Sequence, residues 1–428
     1  MKTLYLTSFL KKFFKAKRFI SIIVKLRNIM DNKIKKVTQS KILSLCAAVG
    51  LTLYIFCAHF KYPFASTYFL YIGFLMSIIL LVSNRTLKVS SNLTLFVIII
   101  FMTFIGTLYT NNQERADRQA TFFLIYFFLF WVAMQEHEFI YILKEWMYFF
   151  SVVGMLTVFI QFTFPTISNA ILSQVLRSDI YENVMWSFNV DGKFTGITSS
   201  VSMAAFSMTI VLFGAVRNIL DLENSPLPFK AINIGIVITA LFGIILTSKR
   251  GIFVATIMAL LLTLLLDKDI SLNKLTKQQA VILCILTILA IVMGVYFIST
   301  NDYVVSFLKR FTGNNITTGR DVFYENAIND FSKGDVFQYL IGKGTASAYL
   351  INDTGLHNVY LQILYDHGLI GELIYVAFFV ENLRSAVKNR YFYSMCMQIV
   401  FLVYCMSGNP LYDYYFFIPY LMFACYKG

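Results

Sequence analysis

Long apolar stretches constrain this chain more than any other feature. They recur at about 42–60, 64–82, 93–109, 119–134, 146–164, 195–216, 231–247, 251–266, 279–299, 368–383, 391–407 and 413–426. A helix that crosses the hydrocarbon of a bilayer needs about 20 mostly apolar residues. Helices of soluble proteins carry a polar face, and these stretches mostly do not. Inside a bilayer each backbone N–H and C=O must be satisfied without water, which makes the α-helix the solution for such stretches. The 428 residues are 58% hydrophobic and only 14% charged, whereas soluble proteins carry about 25% charged residues. The sequence therefore predicts an all-α polytopic membrane protein with about twelve transmembrane helices. A soluble enzyme, a disordered tail protein and a secreted disulfide scaffold are excluded.

The charge is unevenly placed. Residues 1–41 hold twelve of the 36 Lys and Arg and a single acid, Asp31, so this segment carries +11 of the net +13. Phe13, Phe14, Phe19, Ile20, Ile22, Ile23 and Leu26 are interleaved with the cations. Such a segment suits the anionic inner surface of a membrane rather than nucleic acid. It reads as a basic cytoplasmic or interfacial N-terminal segment over 1–41, followed by a single transmembrane domain over 42–428. No apolar core ending in a small-residue cleavage site is present, so a cleaved signal peptide is not expected. With the basic N-terminus inside, alternating loops place 24 of the 36 Lys and Arg on the cytoplasmic side, as the positive-inside rule requires. An even number of spans returns the C-terminus to the cytoplasm. Two long extracytoplasmic loops result, at about 165–194 and about 300–367, the later one large enough for short helices of its own. Loops of this length usually carry function, which directs attention to the outer face. The six cysteines, Cys46, Cys57, Cys284, Cys396, Cys405 and Cys425, lie inside apolar stretches at irregular spacing. They imply neither a disulfide framework nor a zinc site.

Three polar constellations stand out on that face. The first, Thr247-Ser248-Lys249-Arg250-Gly251, joins two short apolar stretches and holds two adjacent cations at the membrane boundary. Charge there is costly and suggests function, though a turn whose cations reach lipid headgroups has the same pattern. The second is Thr317-Thr318-Gly319-Arg320-Asp321, followed by Tyr324 and Glu325. Thr318 is the expected N-cap, with Asp321 as a variant capping box. Arg320 in a first helical turn, beside free N–H groups, would suit an oxyanion or phosphate; an ion pair with Asp321 or Glu325 is the alternative. The third is His357-Asn358-Val359-Tyr360-Leu361, then Tyr365-Asp366-His367-Gly368. Asp353 or Thr354 is expected to cap a helix beginning just before His357, which would lower the imidazole pKa and keep it able to accept a proton. A histidine that only hydrogen-bonds its own loop is the competing reading. Gly368 is expected to separate this outer helix from the next span. Asp, Glu and His show no metal-ligand clustering, and there is no Walker loop, GxGxxG or GxSxG motif.

Taken together, these motifs resemble the O-antigen polymerase and O-antigen ligase superfamily of bacterial envelope glycan assembly. Ser248-Lys249-Arg250-Gly251 is similar to its T-x-S-R-x-G/A signature. Gly319-Arg320 follows about 70 residues later, then Leu340-Ile341-Gly342-Lys343-Gly344, His357-Asn358-x-Tyr360-Leu361 and Gly368-Leu369-Ile370-Gly371. The motifs cover roughly residues 195–383, and the topology of about a dozen helices with a large outer loop extends the resemblance to the whole chain. Lys249, which separates Ser248 from Arg250, departs from the pattern and leaves open which of the two cations enters the site.

The resemblance implies transfer of glycan from an undecaprenyl-diphosphate-linked oligosaccharide donor to the hydroxyl of a glycan acceptor, without metal, nucleotide or other cofactor. On this view Arg250 and Arg320 bind the diphosphate and stabilise it as the leaving group, and His357 is the general base. Lys249, Asn358, Tyr360, Tyr324 and Trp186 are the candidate substrate-binding residues. A single displacement would invert the anomeric centre. The expected setting is the bacterial plasma membrane, with the site on its extracytoplasmic face, membrane lipids as partners and a chain-length regulator protein as a further candidate partner. A polymerase uses a second lipid-linked repeat unit as acceptor, and a ligase uses a lipid A core or another acceptor. A twelve-helix lipid-linked glycan flippase or transporter is the alternative from another class. Transporters bind near the bilayer midplane, often between paired halves, whereas this chain gathers its polar residues in one late loop.

Overall fold

The computed structural model describes residues 39–61, 66–83, 89–221, 227–266 and 319–424. Most of the basic segment 1–41, the apolar stretch 279–299 and the start of the long loop, 300–318, lie outside the described residues. Fifteen α-helices are described, numbered here in chain order. They are α1 Gln39–Cys57, α2 Ser66–Ser83, α3 Ser91–Thr107, α4 Gln113–Gln135, α5 His137–Thr163, α6 Pro165–Val175, α7 Ser178–Asn189 and α8 Val201–Asp221. Then come α9 Leu227–Leu246, α10 Arg250–Leu266, α11 Arg320–Phe331, α12 Val336–Ile341, α13 Val359–Asn389, α14 Phe392–Cys405 and α15 Tyr414–Ala424. Among the described residues there is no strand, only an isolated bridge between Phe60 and Leu176.

Four helices, α5, α8, α9 and α13, are long and apolar enough to cross a membrane, and six shorter helices are also apolar. This architecture fits a helical membrane protein. Large apolar side chains face outward along these helices, among them Phe101, Phe104, Leu75 and Leu373, as expected where lipid rather than water is the solvent.

Packing follows from the side chains each helix offers. Helix α1 crosses α2 closely because both carry glycine at the contact. A Cβ on Gly50 would lie 3.1 Å from the backbone of Gly73 and of Phe69, the close approach that small residues permit between membrane helices. Helix α3 packs on α4 and α13, α8 on α5 and α9, and α10 on α14. The core is aromatic, with Phe96, Phe130, Phe378, Phe401, Phe417 and Tyr420 all buried. Phe401 and Tyr420 stack with centroids 3.9 Å apart. Polar clamps fix the register. Asn92 Nδ2 donates to Asn382 Oδ1 at 2.7 Å, and Asn382 Nδ2 donates to the Tyr420 hydroxyl at 3.1 Å, joining α3, α13 and α15.

The structure revises three boundaries. The stretch at 195–216 becomes α-helix only from Val201, after a short 3-10 turn at Gly196–Thr198. Its first residues form a turn docked on α5, where Gln161 Oε1 accepts from the backbone N–H of Thr195 at 3.0 Å and of Gly196 at 2.9 Å. Helix α5 starts ahead of the apolar stretch at 146–164, and takes in Lys144 beside Glu145. The segment expected as an outer loop at 165–194 forms the two short helices α6 and α7, entered through Pro165 at the first position of α6, where proline suits a helix start.

Candidate active site

The late loop is built on a break in α13. Gly368 has φ 65° and ψ −170°, so the helix of Val359–Asn389 is interrupted there, at the glycine expected to separate outer helix from span. The break leaves carbonyls without helical partners, and the Gly342-Lys343-Gly344 turn supplies them. Lys343 N donates to Tyr365 O and Gly344 N to Asp366 O, both at 3.0 Å. Asp366 Oδ1 accepts from Ala348 N at 2.7 Å. Gly342 stands at φ 82°, and a Cβ there would fall 2.4 Å from the Asp366 carbonyl. These glycines are therefore required by close approach of two backbones. Thr345 ties the same turn to α3, with N donating to Gly106 O at 3.1 Å and Oγ1 to Thr103 O at 2.8 Å. Lys343 also pairs with Asp330 of α11, and the Tyr365 hydroxyl donates to the same carboxylate. Those hydrogen bonds hold Asp330 below the usual carboxylate range. The Gly-Lys-Gly motif thus works as a brace between α11 and the kinked α13.

His357 sits just before α13 with φ 54°. It is not in the helix: Asn358 is the N-cap, its side chain accepting from Leu361 N at 3.2 Å. The expectation of a cap at Asp353 or Thr354 is corrected accordingly. Two short polar residues in front of an apolar stretch compete for the cap with Asn358, and Asn358 is the one extended enough to turn its side chain onto the first free amides. Likewise the N-cap of α11 is Gly319, in the left-handed region at φ 79°, with no side-chain cap bond. Gly319 takes the N-cap position expected of Thr318, which lies outside the described residues.

The loop holding His357 is pinned on several sides. Tyr324 OH donates to His357 O at 3.3 Å, and Thr354 Oγ1 lies 3.1 Å from His357 Nε2. Asn409 Nδ2 donates to Thr354 O at 2.8 Å, and Gln362 Oε1 accepts from Leu356 N at 3.3 Å. On the same turn as Asn409, Ser407 O accepts from Arg320 Nη1 at 2.6 Å. Gly251 packs against that turn too, since a Cβ on it would lie 2.4 Å from Ser407 Oγ. Ser248, just before, has φ 55°, and Thr247 Oγ1 accepts from Lys249 N at 3.4 Å. All three constellations of the sequence therefore converge on one turn, Ser407-Gly408-Asn409, between α14 and α15.

His357 has its pKa pushed down to about 4, first by burial and then by the positive charges of Arg320 and Lys249. Burial and these cations favour the neutral imidazole, whereas the sequence reading looked to a helix terminus for the same effect. An imidazole able to take a proton thus lies within the field of two cations, an arrangement that can bind an anion and accept a proton beside it.

The remaining candidates divide. Arg250 is the first residue of α10, half-buried. Lys249 is the cation of that pair whose charge acts on His357. Tyr324 holds the His357 carbonyl, and Asn358 is committed to the helix cap. Tyr360 turns toward α14, its hydroxyl donating to Leu402 O at 3.1 Å, so its ring packs in the core instead of lining the site. Trp186 is exposed on α7, which packs through Val184 on Leu172 and Leu176, and none of the described contacts joins it to the His357 cluster. Sequence reasoning missed Ser407 and Asn409, and it read Thr354 only as a helix cap. The signal available for the first two was Ser407-Gly408-Asn409-Pro410, a turn pattern that breaks the apolar rhythm near the end of the chain. No group of acidic, histidine or cysteine side chains that could hold a metal ion occurs among the described residues.

No protein-family model matches the chain, and no curated protein matches it.

Proposed function

We propose that this chain is a polymerase of undecaprenyl-diphosphate-linked oligosaccharide repeat units, acting on the extracytoplasmic face of the bacterial plasma membrane by metal-independent, inverting glycosyl transfer. The observation that carries the reading is the meeting of His357, Arg320 and the Lys249-Arg250 turn around Ser407-Gly408-Asn409, from segments far apart in sequence. A lipid diphosphate is a membrane-bound anion and a good leaving group. Arg320 and Lys249, with Arg250 beside it, would stabilise the charge that develops as the C1–O bond breaks. His357 would receive the proton of the attacking acceptor hydroxyl. Transfer to a lipid A core or another acceptor uses the same chemistry, and the acceptor decides between polymerase and ligase.

The test is His357→Ala in cells that lack the native copy. Long glycan chains should disappear while lipid-linked repeat units accumulate and the protein stays at its normal level in the membrane. Unchanged chain length would remove His357 from the mechanism.

A further inference from the structure

We propose that Thr354 is the positioning residue of His357, its Oγ1 taking the Nε2–H hydrogen bond so that Nδ1 is the nitrogen that receives the acceptor's proton. This rests on the general-base reading of His357 given above. The geometry supports it in three steps. Nε2 is already engaged, 3.1 Å from Thr354 Oγ1, so it is not the nitrogen open to a substrate. The threonine is itself held, because Asn352 Nδ2 donates to Oγ1 at 2.9 Å and Asn409 Nδ2 donates to its carbonyl at 2.8 Å. The orientation of the Asn352 amide is fixed, because Nδ2 also donates to Gly355 O at 2.7 Å, a group that only accepts. Oγ1 has two lone pairs. One takes the Asn352 N–H, and on the tautomer proposed here the other takes the His357 Nε2–H.

The reaction balances on that tautomer. The acceptor oxygen forms a bond to C1 of the donor as the C1–O bond to phosphate breaks. The electron pair leaves on undecaprenyl diphosphate, and the hydroxyl proton moves to Nδ1. The resulting imidazolium keeps its Nε2–H bond to Thr354, which strengthens as charge develops. This is the arrangement of a base oriented by a third group, with a neutral hydroxyl in the orienting place. The charged groups acting on His357 are Arg320 of α11 and Lys249 before α10, both cations, and the Tyr324 phenol faces its carbonyl. Among these neighbours, Thr354 is the one bonded to the ring.

The experiment compares wild type, Thr354→Val, Thr354→Ser and His357→Ala as full chains in membranes. The probe is the lipid-linked oligosaccharide that accumulates in cells lacking this chain, and rates are followed against pH. Thr354→Val, similar in volume but without the hydroxyl, should lower the rate about tenfold or more. It should also move the acidic limb to lower pH, because an imidazolium deprived of its acceptor is less stable. Thr354→Ser should restore both. A Thr354→Val enzyme with wild-type rate and pH profile, beside an inactive His357→Ala, would overturn the role of Thr354 and leave the base intact. A Thr354→Ser variant as impaired as Thr354→Val would also overturn it. An active His357→Ala would bring down the general-base reading and this inference together.

Discussion

At the scale of single residues, the proton affinity of His357 is governed by what shares its surroundings. Burial and the charges of Arg320 and Lys249 hold it down, to about 4, in the free protein. A bound diphosphate would offset both cations and raise that value, making the imidazole a better base when substrate is present. Since kcat/KM reports the free enzyme and kcat the complex, the acidic limb of kcat should lie at higher pH than that of kcat/KM. Lys249→Gln removes one positive charge, which favours the protonated imidazole. Its kcat/KM should therefore be lost at higher pH on the acidic side than in wild type. Rates measured from about pH 4 to pH 8 on membranes supplied with lipid-linked substrate would show this shift. A limb that stays in place would mean that Lys249 does not act on His357.

At the scale of elements, the break at Gly368 is the hinge on which the loop is hung. A Cβ at this position would come 2.5 Å from Gly342 N and from the Leu340 carbonyl, and φ is already 65°. Gly368→Ala should cost about 1–3 kcal/mol from backbone strain, with a further penalty from the clash. It should lower the melting temperature of the detergent-solubilised protein by several degrees and reduce activity with it. Much of this level was legible beforehand. The apolar stretches gave the helices, because length and composition alone decide what can lie in lipid. Gly368 was legible because it stands where the polar Tyr365-Asp366-His367 run meets the next apolar stretch, and glycine readily interrupts a helix there. The caps were not. Thr318, Gly319, Asp353, Thr354 and Asn358 all belong to residue types that end or begin helices, and the choice among them depends on tertiary contacts. The Ser407-Asn409 turn was not legible either. Its partners Arg320 and Thr354 lie 87 and 55 positions away, and no local pattern encodes such a meeting.

At the scale of the whole molecule, the proposed orientation puts α11, α12 and the His357 loop outside the cell. Val336 opens α12 and is highly exposed, so Val336→Cys offers an accessible thiol there. A membrane-impermeant maleimide should label it in intact cells. Cys57, Cys396 and Cys405 are buried and should stay unreactive. Labelling at position 336 only after lysis would invert the topology and remove the site from the face where lipid-linked glycans are polymerised. The same convergence governs how the helices hold together. Asn92, Asn382 and Tyr420 form their clamp in the core of the helices while His357, Arg320 and Ser407 gather in the loops. The fold therefore separates the polar contacts that set helix register from those that join the loops.

The Ser407-Gly408-Asn409 turn also sets a time order for the birth of the protein. Arg320 and the His357 loop leave the ribosome well before Ser407 and Asn409, and α15 follows later still. Until that last hairpin is inserted, Arg320 lacks its carbonyl anchor and Thr354 lacks the amide that holds it. The nascent chain can thus occupy the membrane, helix by helix, before the contacts that tie Arg320 and Thr354 to this turn can form.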